Sequence, residues 1–123
     1  MKLNPDCVRA LLIAVESVCD IETCYFSNLH NQIIQGNYSD NEINYHARQC
    51  HLSGLIYDYT TTIDGNFYIT DLSPAGHEFL ANIRQDTIWK NIKSISAKVG
   101  SESLRSLTQI SAMVISEIIK KSL

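Results

Sequence analysis

The stretch Ser39–Leu72, SDNEINYHARQCHLSGLIYDYTTTIDGNFYITDL, decides the fold. It opens on Ser39-Asp40-Asn41-Glu42, a capping box: the Ser39 hydroxyl meets an orphan amide of the first turn while Glu42 reaches back to the cap. Ile43, Ala47 and Cys50 fall on one helical face, and Gly54 stands where a left-handed residue ends a helix. Leu55–Thr62 then reads as a strand, β-branched and aromatic. Asp64-Gly65 is a hairpin turn signal, and Asn66–Thr70 returns as the partner strand.

On the N-terminal side, Asn4-Pro5 is a helix start, with Asn as cap and Pro at the first helical position. Val8, Leu11, Leu12, Val15, Val18 and Cys19 follow as a core-facing stripe that ends at Asp20-Ile21-Glu22. Thr23–Phe26 is a short strand candidate, Ile33-Ile34 a second piece of the same extended segment, and Gly36-Asn37 a turn. On the C-terminal side, Ser73-Pro74 caps a helix through Phe79, Leu80 and Ile83. Asp86 starts another through Trp89, Ile92, Ile95 and Val99, broken at Gly100-Ser101. A last helix carries Leu104 through Ile119, with Lys120 and Lys121 placed at its dipole's negative end.

At 123 residues with a 45% apolar share, the chain fits one domain with a real core. No apolar run nears the roughly 20 residues of a membrane span, and the N-terminus lacks a signal-peptide pattern, so a cytoplasmic protein is expected. Cys7, Cys19, Cys24 and Cys50 stand singly and read as small buried hydrophobes. Cys50 with His46 and His51 lacks the paired spacing of a zinc site, and neither metal nor cofactor is expected. Charge is divided: three basic against nine acidic residues up to Ser73, then seven basic against four acidic from Pro74.

Helix, strand, capped helix, hairpin is the order of a winged helix. Ile43–Ile56 is similar to the recognition-helix segment of bacterial winged-helix regulators, and Leu72-Ser73-Pro74-Ala75-Gly76 to the motif that follows their wing. Across nearly the whole chain, Tyr38-Ser39-x-x-Glu42, Tyr45-His46, Gly54-Leu55-Ile56, Gly76-His77-Glu78-Phe79-Leu80 and Asp86-Thr87-x-Trp89 resemble the family called domain of unknown function 2513. That resemblance implies an α+β, winged-helix-like core over residues 1–73, with a helical extension over 74–123 packed on it as one domain. It also implies a phage or prophage protein working in a bacterial host cell. The sequence departs from the regulators in three ways: too little amphipathic pattern between Phe26 and Ser39 for a support helix, Ala47 and Cys50 at core Leu positions, and Ser53 before Gly54.

Two partner classes follow for a non-enzymatic protein that acts by binding. Duplex DNA comes first by analogy of fold: the helix from Ser39 to Leu52 would present Asn41, Asn44, Tyr45, Arg48 and Gln49, side chains suited to base edges. A host protein is the alternative, favoured by charge. That helix has one Arg against Asp40 and Glu42, and the wing has Asp58 and Asp64 with no Lys or Arg. His77-Glu78 has no nucleophile motif beside it and reads as structural, with no catalytic residue expected. His46 reads as a satisfied semi-buried histidine, His30 and His51 as surface residues, and Trp89 as the anchor of the C-terminal helices. The last helix has a broad apolar arc that is either sandwiched inside the monomer or partly buried against another chain. In the second case Leu107, Ile110, Val114, Ile115 and Ile118 are the expected interface with a partner or, in a homodimer, a second copy.

Overall fold

The chain's first helix is fixed by the cap that the sequence anticipates. Asn4 Oδ1 accepts from the amides of Asp6 (3.0 Å) and Cys7 (3.4 Å), and α1 runs Pro5–Val18 with Cys7, Val8, Leu11, Leu12 and Val15 buried. In this computed structural model, which describes residues 1–20, 22–33, 37–100 and 102–123, α1 is followed by β1 (Cys24–Tyr25), α2 (Phe26–Ile33) and α3 (Asp40–Leu52). Then come β2 (Thr60–Thr61), β3 (Phe67–Ile69), α4 (Pro74–Ile83), α5 (Asp86–Val99) and α6 (Leu104–Ser122). The result is an α+β fold: six helices and a three-stranded antiparallel sheet of order β1-β3-β2 among the described residues. Cys24 pairs with Ile69, Tyr25 with Tyr68, Thr60 with Tyr68 and Thr61 with Phe67.

Two expectations are corrected. The segment after Phe26 is helical, not extended: Phe26, Leu29 and Ile33 place three apolar groups on one face of α2. Leu29 is fully buried and the Phe26 ring meets Phe67 edge-on at 5.0 Å. Ser27, Asn28 and Asn31 are indifferent helix formers, so packing rather than propensity holds this short element. Ile34 and Gly36 lie outside the described residues, as do Ile21 and Ser101.

The second correction concerns the hairpin. Instead of one strand over Leu55–Thr62, the ladder consists of Thr60–Thr61 and a separate bridge between Ile56 and Leu72. Phe67 and Ile69 are buried, and so is Leu72, three residues on, which breaks strict alternation. The chain turns over at that point, where Asp58 takes the place of a ladder carbonyl. Its carboxylate accepts from the Thr70 amide at 2.7 Å and the Thr70 hydroxyl at 2.5 Å. At the hairpin tip, Gly65 N–H bonds to Thr62 C=O and Thr62 N–H to Asn66 C=O. Gly65 sits at φ 86°, so Ile63–Gly65 forms a three-residue loop closed by a left-handed glycine.

A single hydrophobic cluster runs through both halves of the chain, from Val8 and Leu11 through Ile43, Ile56, Phe67 and Leu80 to Trp89, Ile92 and Leu107. Gly76 sets how closely α4 approaches. A Cβ there would lie 1.9 Å from the Leu55 carbonyl oxygen, and the contact is locked by Ser73 N–H to Leu55 C=O (3.0 Å) and Ser73 Oγ to Gly54 C=O (2.5 Å).

Candidate binding cleft

The face of α3 turned away from the core defines the candidate site. Ser39 Oγ accepts from the Glu42 amide at 3.1 Å, and Glu42 Oε1 from the Ser39 amide at 3.2 Å, so the capping box forms in full. Gly54, at φ 79°, ends the helix. Ile43, His46, Ala47 and Cys50 turn inward. His46 is fully buried rather than semi-buried. Its Nε2 accepts from the Asn4 amide at 2.8 Å and its Nδ1 lies 2.7 Å from the Glu42 carbonyl. With Nε2 as acceptor, the proton belongs on Nδ1 and is donated to that carbonyl, which pins the start of α1 to α3.

Asn41, Asn44, Tyr45 and Arg48 line a cleft of about 520 Å³ closed on its far side by Tyr59 and Thr61 of the hairpin. Four of the five residues expected to face DNA are therefore brought together. Gln49, half-buried, is not part of that lining. Asn44 has both ends of its amide engaged: Nδ2 donates to the Gly65 carbonyl at 3.2 Å and Oδ1 accepts from the Tyr59 hydroxyl. Tyr59 is itself wedged between His51 (5.8 Å, stacked) and Phe67 (5.4 Å). Burial pushes its phenol up, partly offset by the Arg48 charge. The exposed side chains of Asn41 and Arg48 remain, and no ion pair to Arg48 is found among the described residues.

The electrostatics around the cleft are acidic. At the wing tip, hydrogen bonds from the Thr62 hydroxyl and the Asn66 amide hold the Asp64 carboxyl below its usual range, so it is charged at neutral pH. Asp40, in the first turn of α3, lies 3.0 Å from His30 Nδ1, so His30 is a partner of that turn rather than a bystander. The sequence did not point to Tyr59 or Thr61, which reach the cleft only because the hairpin folds back on α3.

A second concavity, about 550 Å³, runs between α4 and α6 over Leu55, Phe79 and Leu104, with Glu78 and Arg105 on its walls. Its one legible signal is the run of small residues, Ala75, Ser111 and Ala112, that line it. The apolar arc of the last helix is divided: part of it is sandwiched inside the chain and part is left outside. Leu107 is fully buried and Val114 nearly so, which makes them part of the chain's own core and not an outer face. Ile110 and Ile115 are half-buried, and Ile118 is 40% exposed.

The motif residues of the C-terminal half form a clasp. Trp89 Nε1–H donates to Asp6 Oδ1 at 2.9 Å, Lys93 reaches the same oxygen at 2.8 Å, and Arg9 pairs with Asp86 at 2.7 Å. Arg9 also donates to the carbonyls of Ile83 (2.9 Å) and Arg84 (2.5 Å), closing the end of α4. Burial works to raise the Asp6 carboxyl, but the hydrogen bonds from Lys93 and Trp89 outweigh it and hold the group below its usual range. Trp89 is 2% exposed, the anchor the sequence suggests. His77 Nε2 lies 3.5 Å from Asp71 on the surface.

All four cysteines are free and buried, and burial pushes the Cys7 thiol up to about 12. Among the described residues no group of three or more His, Cys, Asp or Glu is placed to hold a metal, and no helix is long and apolar enough to cross a membrane.

With this geometry in view, the chain matches the family model described as "Hypothetical protein (DUF2513)" over residues 2–102. It is similar to a protein of Haemophilus influenzae (strain Rd) described as "Uncharacterized protein", 29% identical over 125 residues that cover 97% of this chain and 99% of the relative. No solved structure matches it.

Proposed function

The chain belongs to the DUF2513 family, and we propose that it is a non-enzymatic binding module on a winged-helix scaffold whose partner is a protein rather than duplex DNA. The scaffold reading is supported by the order α1-β1-α2-α3-β2-β3 and the sheet order β1-β3-β2, with α3 ahead of a hairpin wing. In this reading α2 is the support helix and α3 the recognition helix. The phage or prophage setting implied by the resemblance belongs to the same proposal.

One observation carries the choice of partner: the face that would read a groove is tied to its own wing. Asn44, one of the side chains suited to an adenine edge, already has its amide engaged by Gly65 and Tyr59. Phosphate neutralisation supplies most of the affinity of a DNA-binding protein. Here Arg48 is the one cation lining the cleft, with Asp64 charged at the wing tip. DNA binding is kept as the second reading because Asn41, Tyr45 and Arg48 do share that one cleft.

The test is a titration of labelled duplex DNA with the full chain, from about 50 to 200 mM salt, where a phosphate-gripping protein loses affinity steeply. No saturable complex is expected even at the lowest salt. A complex that weakens with salt and is lost in Arg48→Ala would instead establish the DNA reading.

A further inference from the structure

The outward side of the sheet has features that its own packing does not require. The register places Tyr25, Tyr68 and Thr60 side by side across β1, β3 and β2, while Cys24, Phe67 and Ile69 turn into the core. The Tyr25 and Tyr68 rings lie 4.4 Å apart, tilted by 54°, and Tyr25 is 50% exposed. Tyr57, 70% exposed, is held next to β3 by the hydrogen bond that its backbone N–H donates to the Asp71 carbonyl. Tyr25 and Tyr57 are thus exposed aromatic groups, and Tyr68 between the outer strands is half-buried.

Carboxylates stand beyond the row in both directions along β3. Asp64 at the hairpin tip is close enough for its charge to act on the Tyr68 phenol. Past the other end of β3, Asp58 bonds to Thr70 and Asp71 follows it, and the charges of Asp71 and Asp20 both act on Cys19 nearby. Two positive or protonatable groups bear on this region. His77 sits 3.5 Å from Asp71, and Arg48 lies on the opposite side of the hairpin, in the α3 cleft. From residue 10 to residue 83 the sequence has nine Asp or Glu and Arg48 as its one Lys or Arg.

Aromatic faces flanked by anions attract cations. A guanidinium is favoured over an ammonium, because it stacks flat on a ring while bonding a carboxylate through its edge. A base-stacking role for the same rings would need a cationic track for the phosphates, which this surface lacks. We propose that the outer face of the sheet, the Tyr25–Tyr68–Thr60 row with carboxylates beyond it in both directions along β3, is the docking surface for an arginine-bearing segment of a partner protein. This rests on the protein-binding reading above and names the chemistry of the partner.

The probe is a fluorescent decapeptide of alternating Arg and Ser, titrated with the full chain and followed by anisotropy and amide chemical shifts. Two cation–π contacts at about 0.5–1 kcal/mol each correspond to roughly 5- to 30-fold in affinity. The expected result is saturable binding that weakens with salt, several-fold weaker binding of the Lys-for-Arg peptide, and shifts centred on Tyr25 and Tyr68. The pair Tyr25→Ser with Tyr68→Thr, which keeps a strand-compatible residue in β3, should weaken binding about tenfold. Asp64→Asn with Asp71→Asn should weaken it as well.

Absence of saturable binding, equal affinity for the Arg and Lys peptides, or indifference to the tyrosine variants would overturn the proposal. So would concentration-dependent self-association lost in the tyrosine variants, which would put the basic α5–α6 surface of a second copy on this face. Peptide shifts confined to the α4–α6 groove would remove this surface and leave the protein-binding reading standing. A salt-sensitive duplex-DNA complex would remove that reading too.

Discussion

Two of the polar ties between elements of this molecule differ in kind. The tie between α3 and the hairpin, Asn44 to Tyr59 and Gly65, is neutral, lies at the rim of a cleft and spans 15 and 21 residues. The clasp between α1 and α5, Asp6 with Trp89 and Lys93 and Arg9 with Asp86, is ionic and packs around a buried indole, spanning 77 to 87 residues. The first shapes a surface; the second joins the acidic half of the chain to the basic one. The motif residues Gly76, Asp86 and Trp89 all serve this joining. The motifs most characteristic of the resemblance therefore describe how the two halves are held together, and the binding surface has to be sought among other residues.

The strongest way to break the join is Gly76→Ala. Alanine gains up to about 1 kcal/mol of helix propensity, yet its Cβ would stand 1.9 Å from a backbone oxygen that cannot rotate away. The clash outweighs the propensity, and α4 must shift off Leu55. A net loss of about 3 kcal/mol or more is expected, read as a lower urea midpoint. A variant as stable as the parent would mean that the close approach of α4 is not what Gly76 provides.

Of comparable size is the clasp. Trp89→Ala should cost about 3–5 kcal/mol through the lost indole. Trp89→Phe keeps most of the ring and loses the bond to Asp6, and about 1–2 kcal/mol is expected. The two together separate packing from polarity, since equal losses would assign everything to the hydrogen bond. The clasp also has a pH signature. The Asp6 carboxyl is held below its unfolded value, so its stabilisation is present above about pH 4 and lost as pH falls through the lower folded pKa. Asp6→Asn should lower stability at pH 7 and flatten the acid limb of the denaturation profile, measured by urea midpoints at successive pH values. An acid limb as steep as the parent's would exonerate Asp6.

What was legible in the sequence was local. The Ser39–Glu42 box, the Gly54 stop and the Asp64-Gly65 turn each place their own backbone within a few residues, and all three are found. What was not legible depended on distant partners. Residues Phe26–Ile33 form a helix because Leu29 and Phe26 pack on the core, not because of their propensity. The hairpin ladder breaks where Asp58 reaches Thr70, twelve residues away, and no alternation pattern announces a side chain standing in for a carbonyl. The candidate site shows the same division. Helical spacing gathered Asn41, Asn44, Tyr45 and Arg48 on one face, but it could not show that Asn44 is already committed to the hairpin.

That commitment sets the smallest and most informative test of the contrast between the two ties. Tyr59→Phe deletes only the hydroxyl that Asn44 accepts from, while the ring stays between His51 and Phe67. Asn44 lies partly in water, so solvent can replace the lost donor and the stability cost should be about 1 kcal/mol or less. The effect on the cleft is larger than the effect on the fold. With its oxygen released, the Asn44 amide is held by the Gly65 bond alone, and hydrogen exchange at the hairpin tip should quicken while that of α1 and α5 stays unchanged. If the tie is what keeps α3 from reading a groove, Tyr59→Phe should also gain measurable duplex-DNA binding at low salt. Unchanged exchange at the tip would show that the ring contacts alone hold the wing. Unchanged DNA binding would then leave the acidic surroundings of the cleft, and not the tie, as the feature that opposes DNA in the proposed reading.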